Sequence, residues 1–169
     1  MKSTSQSPSH RKPVGGVRSV KLCTTDNIAG VGFSSDATTN ASLEFVDSNG
    51  VMECSLLEDS SSFEEEFSFD QGVVAVRHTL SLVANRDLAA AWLEAEFCGE
   101  LRLKGLCAVV TLNDDRQLLV GYSQRFGGQQ PLRVKGIKVW SGVSLSDTPT
   151  VTLTLESYDT SAASTCVII

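Results

Sequence analysis

Phe63-Glu64-Glu65-Glu66-Phe67-Ser68-Phe69-Asp70, the turn Asp70-Gln71-Gly72, and then Val74-Ala75-Val76-Arg77-His78-Thr79-Leu80-Ser81-Leu82 decide the fold class. Successive side chains of a strand point to opposite faces, so a period of two marks a half-buried strand. In the first run Phe63, Glu65, Phe67 and Phe69 share one face, and Glu64, Glu66, Ser68 and Asp70 share the other. In the second, Val74, Val76, His78, Leu80 and Leu82 face one way, and Ala75, Arg77, Thr79 and Ser81 the other. A Gly-containing turn between two alternating runs predicts a long antiparallel hairpin over residues 63–84 with an acidic outer face.

Outward from the hairpin the chain stays β. Val17 to Cys23 alternates, and Thr150 to Tyr158 places Val151, Leu153 and Leu155 on one side. Residues 41–57, with Asn49-Gly50 at their centre, predict a second hairpin, since both residues tolerate positive φ. Leu101–Leu112, Leu118–Phe126 and Leu132–Trp140 complete a set of about eight strands. Helical spacing occurs once: Leu88, Ala91, Trp92 and Ala95 recur behind a capping Asn85 or Asp87, and Cys98-Gly99 closes the run. The expected fold is mainly β: an antiparallel β-sandwich or split barrel with one flanking α-helix at about residues 87–98.

Charge divides the chain. Residues 1–25 hold Lys2, Arg11, Lys12, Arg18 and Lys21 and no acid. The whole chain has 14 bases and 20 acids, so the remainder carries 9 bases against 20 acids, a charge of −11. An acidic body argues against general nucleic-acid binding, which needs clustered Lys and Arg. Residues 1–14 are expected as a flexible basic arm and 15–169 as one domain. No apolar run approaches the roughly 20 residues that span a bilayer, and Met1 to Gly16 lack the apolar core of a secretory signal. The expected place of synthesis is the cytoplasm, with no membrane partner.

Catalytic signatures are sparse. Cys23, Cys54, Cys98, Cys107 and Cys166 are odd in number and form no C-x-x-C pair, so buried reduced thiols are expected. His10 lies in the arm; His78 sits on an apolar strand face, where a hydrogen-bonded core histidine is expected. Neither Ser81, Cys54 nor Asp87 can be placed beside it to complete a nucleophile–base–acid set. Glu64-Glu65-Glu66 is a solvated strand face or a wall of like charge beside a channel, and Asp114-Asp115 is turn chemistry. Arg125, Arg133, Lys135 and Lys138 form a basic cluster that would complement an acidic face on a neighbour. No enzyme activity and no cofactor are expected.

The lead Pro13-Val14-Gly15-Gly16-Val17, the acidic hairpin, the Trp-containing segment Asp87–Phe97, Tyr122-Ser123-Gln124-Arg125-Phe126-Gly127 and the closing Thr150–Ser157 strand together resemble the small structural tail proteins of tailed bacteriophages, particularly of the Bacteroides group. Within that set the chain looks most like a tail tube (major tail) protein. The resemblance implies hexameric rings stacked into a tube in the virion tail, with other tail proteins as partners and viral DNA passing through the lumen unbound. It implies lumen-facing Glu64, Glu66 and Asp70, and inter-subunit contacts through Arg11, Lys12, Arg18, Trp92, Arg133 and Lys135. The alternatives are a terminator, completion or head–tail connector component, or a free β-sandwich binding module.

Overall fold

The computed structural model describes residues 15–34, 40–87, 89–94 and 103–169. Among the described residues eleven strands follow one another: β1 (Val17–Thr24), β2 (Ile28–Phe33), β3 (Asn40–Phe45), β4 (Met52–Cys54), β5 (Ser62–Asp70), β6 (Val73–Asn85), β7 (Leu106–Leu112), β8 (Gln117–Val120), β9 (Arg133–Trp140), β10 (Thr150–Asp159) and β11 (Ser164–Ile168). They build a seven-stranded sheet, β2-β3-β11-β8-β7-β1-β4, and a four-stranded sheet, β5-β6-β10-β9. The fold is mainly β, as the alternation predicted.

The small sheet follows from its period. β6 and β10 pair antiparallel over ten residues, from Thr150 opposite Asn85 to Asp159 opposite Val76. Val76, Leu80, Leu82 and Ala84 are buried on the same face as Val151, Leu153 and Leu155. The 63–84 hairpin is present as β5–β6, closed by a turn in which Gln71 (φ 46°) and Gly72 (φ 83°) are both left-handed. Two central residues of positive φ match the right-handed twist of the strands. The hairpin outruns its sheet, because β10 ends opposite Val76. Phe63 therefore packs on the core while Phe67 and Phe69, expected on the half-buried face with it, are exposed.

One hydrophobic cluster draws on both sheets: Val20 and Leu22 of β1, Leu106, Ala108 and Val110 of β7, and the buried faces of β6 and β10. A second cluster on the opposite face of the large sheet gathers Cys23, Leu43, Cys107, Val109, Leu119 and Cys166. β7 is thus buried on both faces, which explains its unbroken apolar run Leu106–Val110. β1 and β2 stand sixth and first in the strand order, yet only the 3₁₀ turn Thr25–Asn27 separates them along the chain. The large sheet must coil on itself for that link to close.

Two local expectations are corrected. The 41–57 segment is not a hairpin: β3 pairs with β2 and β11, and β4 pairs with β1 at the far end of the order. Asp47 Oδ1 accepts from Asn49 N–H at 2.9 Å and caps a right-handed 3₁₀ turn, Ser48–Gly50. The Asn27 side chain clamps that turn, donating to Asp47 O at 2.8 Å and accepting from Asp47 N at 3.0 Å. This side-chain turn outcompetes the hairpin that Asn-Gly alone predicts. The helix expected over about 87–98 is likewise not found among the described residues of that span. Ala90–Leu93 form one 3₁₀ turn, with Trp92 N–H donating to Ala89 O at 2.9 Å; residue 88 and residues 95–98 lie outside the described residues. Ala89 and Trp92, three apart, are both buried in the first cluster, and a three-per-turn helix aligns them where a longer α-helix is not needed.

Gly121 ends β8 with φ +85°, and a Cβ there would stand 2.5 Å from Leu106 O. Its absence lets Leu132 exchange both backbone hydrogen bonds with Leu106 (2.8 and 3.0 Å) where β8 leaves β7, and so aims the chain into β9. Leu153, at the centre of the shared core, is the sharpest test of that core. Leu153→Ala should lower unfolding free energy by roughly 2–5 kcal/mol, read as a lower urea midpoint at unchanged slope. A change below about 0.5 kcal/mol would mean the two sheets do not share the core described.

Candidate functional site

The four-stranded sheet turns one face to the core and the other outward. Parity places Glu64, Glu66 and Asp70 of β5 on the outer face, with Arg77 of β6, Glu156 of β10, and Arg133, Lys135 and Lys138 of β9. The residues expected as a lumen wall (Glu64, Glu66, Asp70) are all exposed on this one face, as are Arg133 and Lys135 of the expected contact set. The face is not purely acidic, however. Those named residues are four acids and four bases. Glu66 is ion-paired with Arg77. Lys135 Nζ stands 3.2 Å from Glu156 Oε2, close enough to compensate its charge although not aligned as a hydrogen bond. Register explains the difference from sequence: Arg77 is opposite Glu66, and β9 lies two strands beyond β6.

The charges are ordered across the sheet. β5 is one edge and β9 the other. The charged side chains on the outer face of β5 are all acidic, and those on β9 are all basic. β9 carries its bulge at Lys135, between Val134 and Gly136, and the shift in parity puts Lys138 on the same outer face as Arg133. Two apolar ends complete the surface. The overhanging tip exposes Phe67, Phe69 and Val73; the opposite end exposes Trp140, Val143 and Leu145. The 141–149 loop that carries the last two is held by Asp147, whose Oδ2 accepts from Val143 N–H and Ser144 N–H, each at 2.8 Å. Those donors keep the Asp147 carboxyl below the usual carboxylate range.

The remaining expected contact residues divide. Arg18 is exposed and pairs with Asp115 at 2.5 Å, inside its own domain. Trp92, expected at a subunit contact, is corrected: it is 3% exposed, within the chain's own core. Arg11 and Lys12, with the arm of residues 1–14, lie outside the described residues.

The inner face holds a constellation the sequence did not assemble. Glu65, His78 and Ser157 are direct cross-strand neighbours on β5, β6 and β10. His78 Nδ1 is 3.5 Å from Ser157 Oγ, and Nε2 is 3.3 Å from Glu65 Oε1 without hydrogen-bond alignment. Glu65 Oε1 also accepts from Ala163 N–H at 2.6 Å, tying the turn before β11 to the small sheet. The one available signal was Glu65 itself, an acid on the apolar face of its strand. The row has the residue types of a Ser–His–Glu triad, but Ser157 is 3% exposed and the cavity it shares with His78, Tyr122, Ser123 and Gln130 is about 10 Å³. That is room for about one water, not for a substrate carbonyl beside a nucleophile. The network ties three strands and a turn together. Among the described residues no group of three or more His, Cys, Asp or Glu side chains could hold a metal, and no helix is long and apolar enough to cross a membrane.

Burial works to raise the Glu65 carboxyl; the His78 ring and the Ala163 N–H outweigh it and hold it below its ordinary value. A depressed carboxylate stabilises the fold above its unfolded pKa, and that contribution disappears as pH falls through the folded value. Wild-type stability should therefore decline below about pH 4.5, and Glu65→Gln should flatten that decline in urea titrations from pH 6 to 3. An identical acid limb in the variant would remove Glu65 from the network's energetics. Comparison of the chain with protein-family models, with curated proteins and with solved structures found no match, so a functional reading stands on the geometry of this sheet and on the phrase-level resemblance above.

Proposed function

We propose that the chain is a structural subunit that assembles with copies of itself into rings, as a phage tail tube protein does, and has no catalytic role. The observation that carries this reading is the opposite charge of the two open edges of the four-stranded sheet. β5 presents Glu64, Glu66 and Asp70; β9 presents Arg133, Lys135 and Lys138. Strand directions alternate across β5-β6-β10-β9, so copies related by rotation would bring β9 of one against β5 of the next in antiparallel sense, continuing the alternation. Nine and eight residues are comparable lengths for such a seam. An interface between different patches of identical subunits closes into a ring when the rotation permits. Edge strands offer unpaired backbone groups for that addition, and opposite charges set the register.

In this reading the two sheets form a β-sandwich whose larger sheet is coiled as a split barrel. The outer face of the small sheet lines the ring. Glu64, Glu66 and Asp70 then stand in a wall whose bases are balanced by acids, which gives a phosphate backbone no net positive patch to hold. Stacking would bring the Phe67/Phe69 tip of one ring to the Val143/Leu145 loop of another, burying both apolar ends.

A second reading has its own support. A bulge and charged side chains on edge strands also keep free β-proteins from aggregating, and β9 has both. Charge exchange separates the two. One variant carries Glu64→Lys with Asp70→Lys; the other carries Arg133→Glu with Lys138→Glu. These positions avoid the Arg77–Glu66 and Lys135–Glu156 pairs. Each variant alone should lose ring assembly at least tenfold in light scattering and negative-stain microscopy, and an equimolar mixture should regain it. Wild-type protein that stays monomeric at every salt and protein concentration would establish the free module instead.

A further inference from the structure

The second hydrophobic cluster contains three of the chain's thiols, Cys23, Cys107 and Cys166. Two of them are placed as a pair. Cys23 of β1 and Cys107 of β7 are directly opposite each other in the antiparallel ladder. Residues opposite in such a ladder project to the same face, with Cα atoms about 4.5–5.5 Å apart. That separation lies inside the roughly 4.4–6.8 Å range that a disulfide spans. Cys54 is buried in the other cluster, across the sheet, and cannot reach the pair.

We infer that Cys23 and Cys107 form an oxidation site, and that hydrogen peroxide converts them to a cross-strand disulfide in the folded protein. The step balances in two stages. Cys23 Sγ attacks one oxygen of the peroxide; an S–O bond forms, the O–O bond breaks, and the other oxygen leaves as water with the thiol proton. Cys107 Sγ then attacks the Cys23 sulfenic sulfur; the S–S bond forms, the S–O bond breaks, and the hydroxyl leaves as water with the Cys107 proton. Two thiols are oxidised and one hydrogen peroxide is reduced to two waters.

The order of attack follows from the surroundings. Cys23 is 5% exposed at the end of β1, whereas Cys107 is fully buried. The neighbouring Cys107 thiol outweighs burial and lowers the Cys23 thiol below its usual value. The same contact, with burial, pushes Cys107 up. Burial pushes Cys166 up to about 11, and burial together with the neighbouring Glu53 charge pushes Cys54 up to about 12. The thiolate is the reactive form, so Cys23 is the first to react and Cys107 resolves it. The resulting bond would staple β1 to β7 beside the three-residue link that closes the coiled sheet.

The test uses the intact protein under native conditions. Reduced protein is exposed to millimolar hydrogen peroxide, quenched, denatured in iodoacetamide, and mapped by peptide mass spectrometry. The expected product has lost two hydrogens and joins the Cys23 and Cys107 peptides, while Cys54, Cys98 and Cys166 are alkylated. In Cys107→Ala, dimedone should trap one sulfenic acid, on Cys23. Should that variant not fold, the wild-type map decides alone. Five alkylated thiols after oxidation, or a main disulfide through Cys54, Cys98 or Cys166, would overturn the inference.

Discussion

The ten-residue register between β6 and β10 is the constraint on which the other features depend. It sets Leu80 beside Leu155 and Leu82 beside Leu153, and so makes one apolar face that the larger sheet can cover. A slip of β6 by one residue against β10 would turn Leu80 and Leu82 to solvent and drive Arg77 and Thr79 into the core. Because burial forbids that slip, the outer face is fixed as well. That register sets Ser157 beside His78, and the β5–β6 register adds Glu65 to the row and places Arg77 against Glu66. Core and surface are therefore not separate designs; the surface pattern is the reverse side of the core pattern.

The larger sheet solves a different problem. Its seven strands need cover on two faces where β7 runs, and a flat sheet would leave the second face wet. Coiling provides the cover, bringing β3 over β1 and β7 so that Leu43 packs in one cluster with Cys23, Cys107 and Val109. The bend is made where β1 turns into β2, at Thr25–Asn27, and the Asn27 side chain locks it to Asp47. One polar side chain thereby holds two chain reversals in register with each other. The thiol pair lies beside this bend, on the strand pair that the coil brings inside.

The hairpin over residues 63–84, the strand over 150–158 and the mainly β class were legible because alternation is a local property. Val151, Leu153 and Leu155 need no knowledge of their partners to declare a face. The failures were also physical. Asn49-Gly50 carries a hairpin signal, but Asp47 and Asn27 offered that backbone better hydrogen bonds, and Asn27 is twenty residues away from Asp47. The Trp92 segment has helical spacing, but burial of Ala89 and Trp92 required only one tight turn. The acidic face was read from β5 alone, and its compensation comes from Arg77, eleven residues on, and from β9, far along the chain.

The sequence by itself determined which side chains point to which face of each strand, because that follows from a period of two and the solubility of each residue. It therefore determined the β class, the exposed positions of Glu64, Glu66 and Asp70, and the burial of His78. Only the tertiary structure decided which strands became neighbours. Strand pairing joins residues tens of positions apart, and loop closure costs nearly the same entropy for many alternative partners. That choice put acids on one open edge and bases on the other, set Glu65 beside His78, and placed Cys23 opposite Cys107. The features on which the proposed assembly and the proposed oxidation rest live in those pairings rather than in any single stretch of chain.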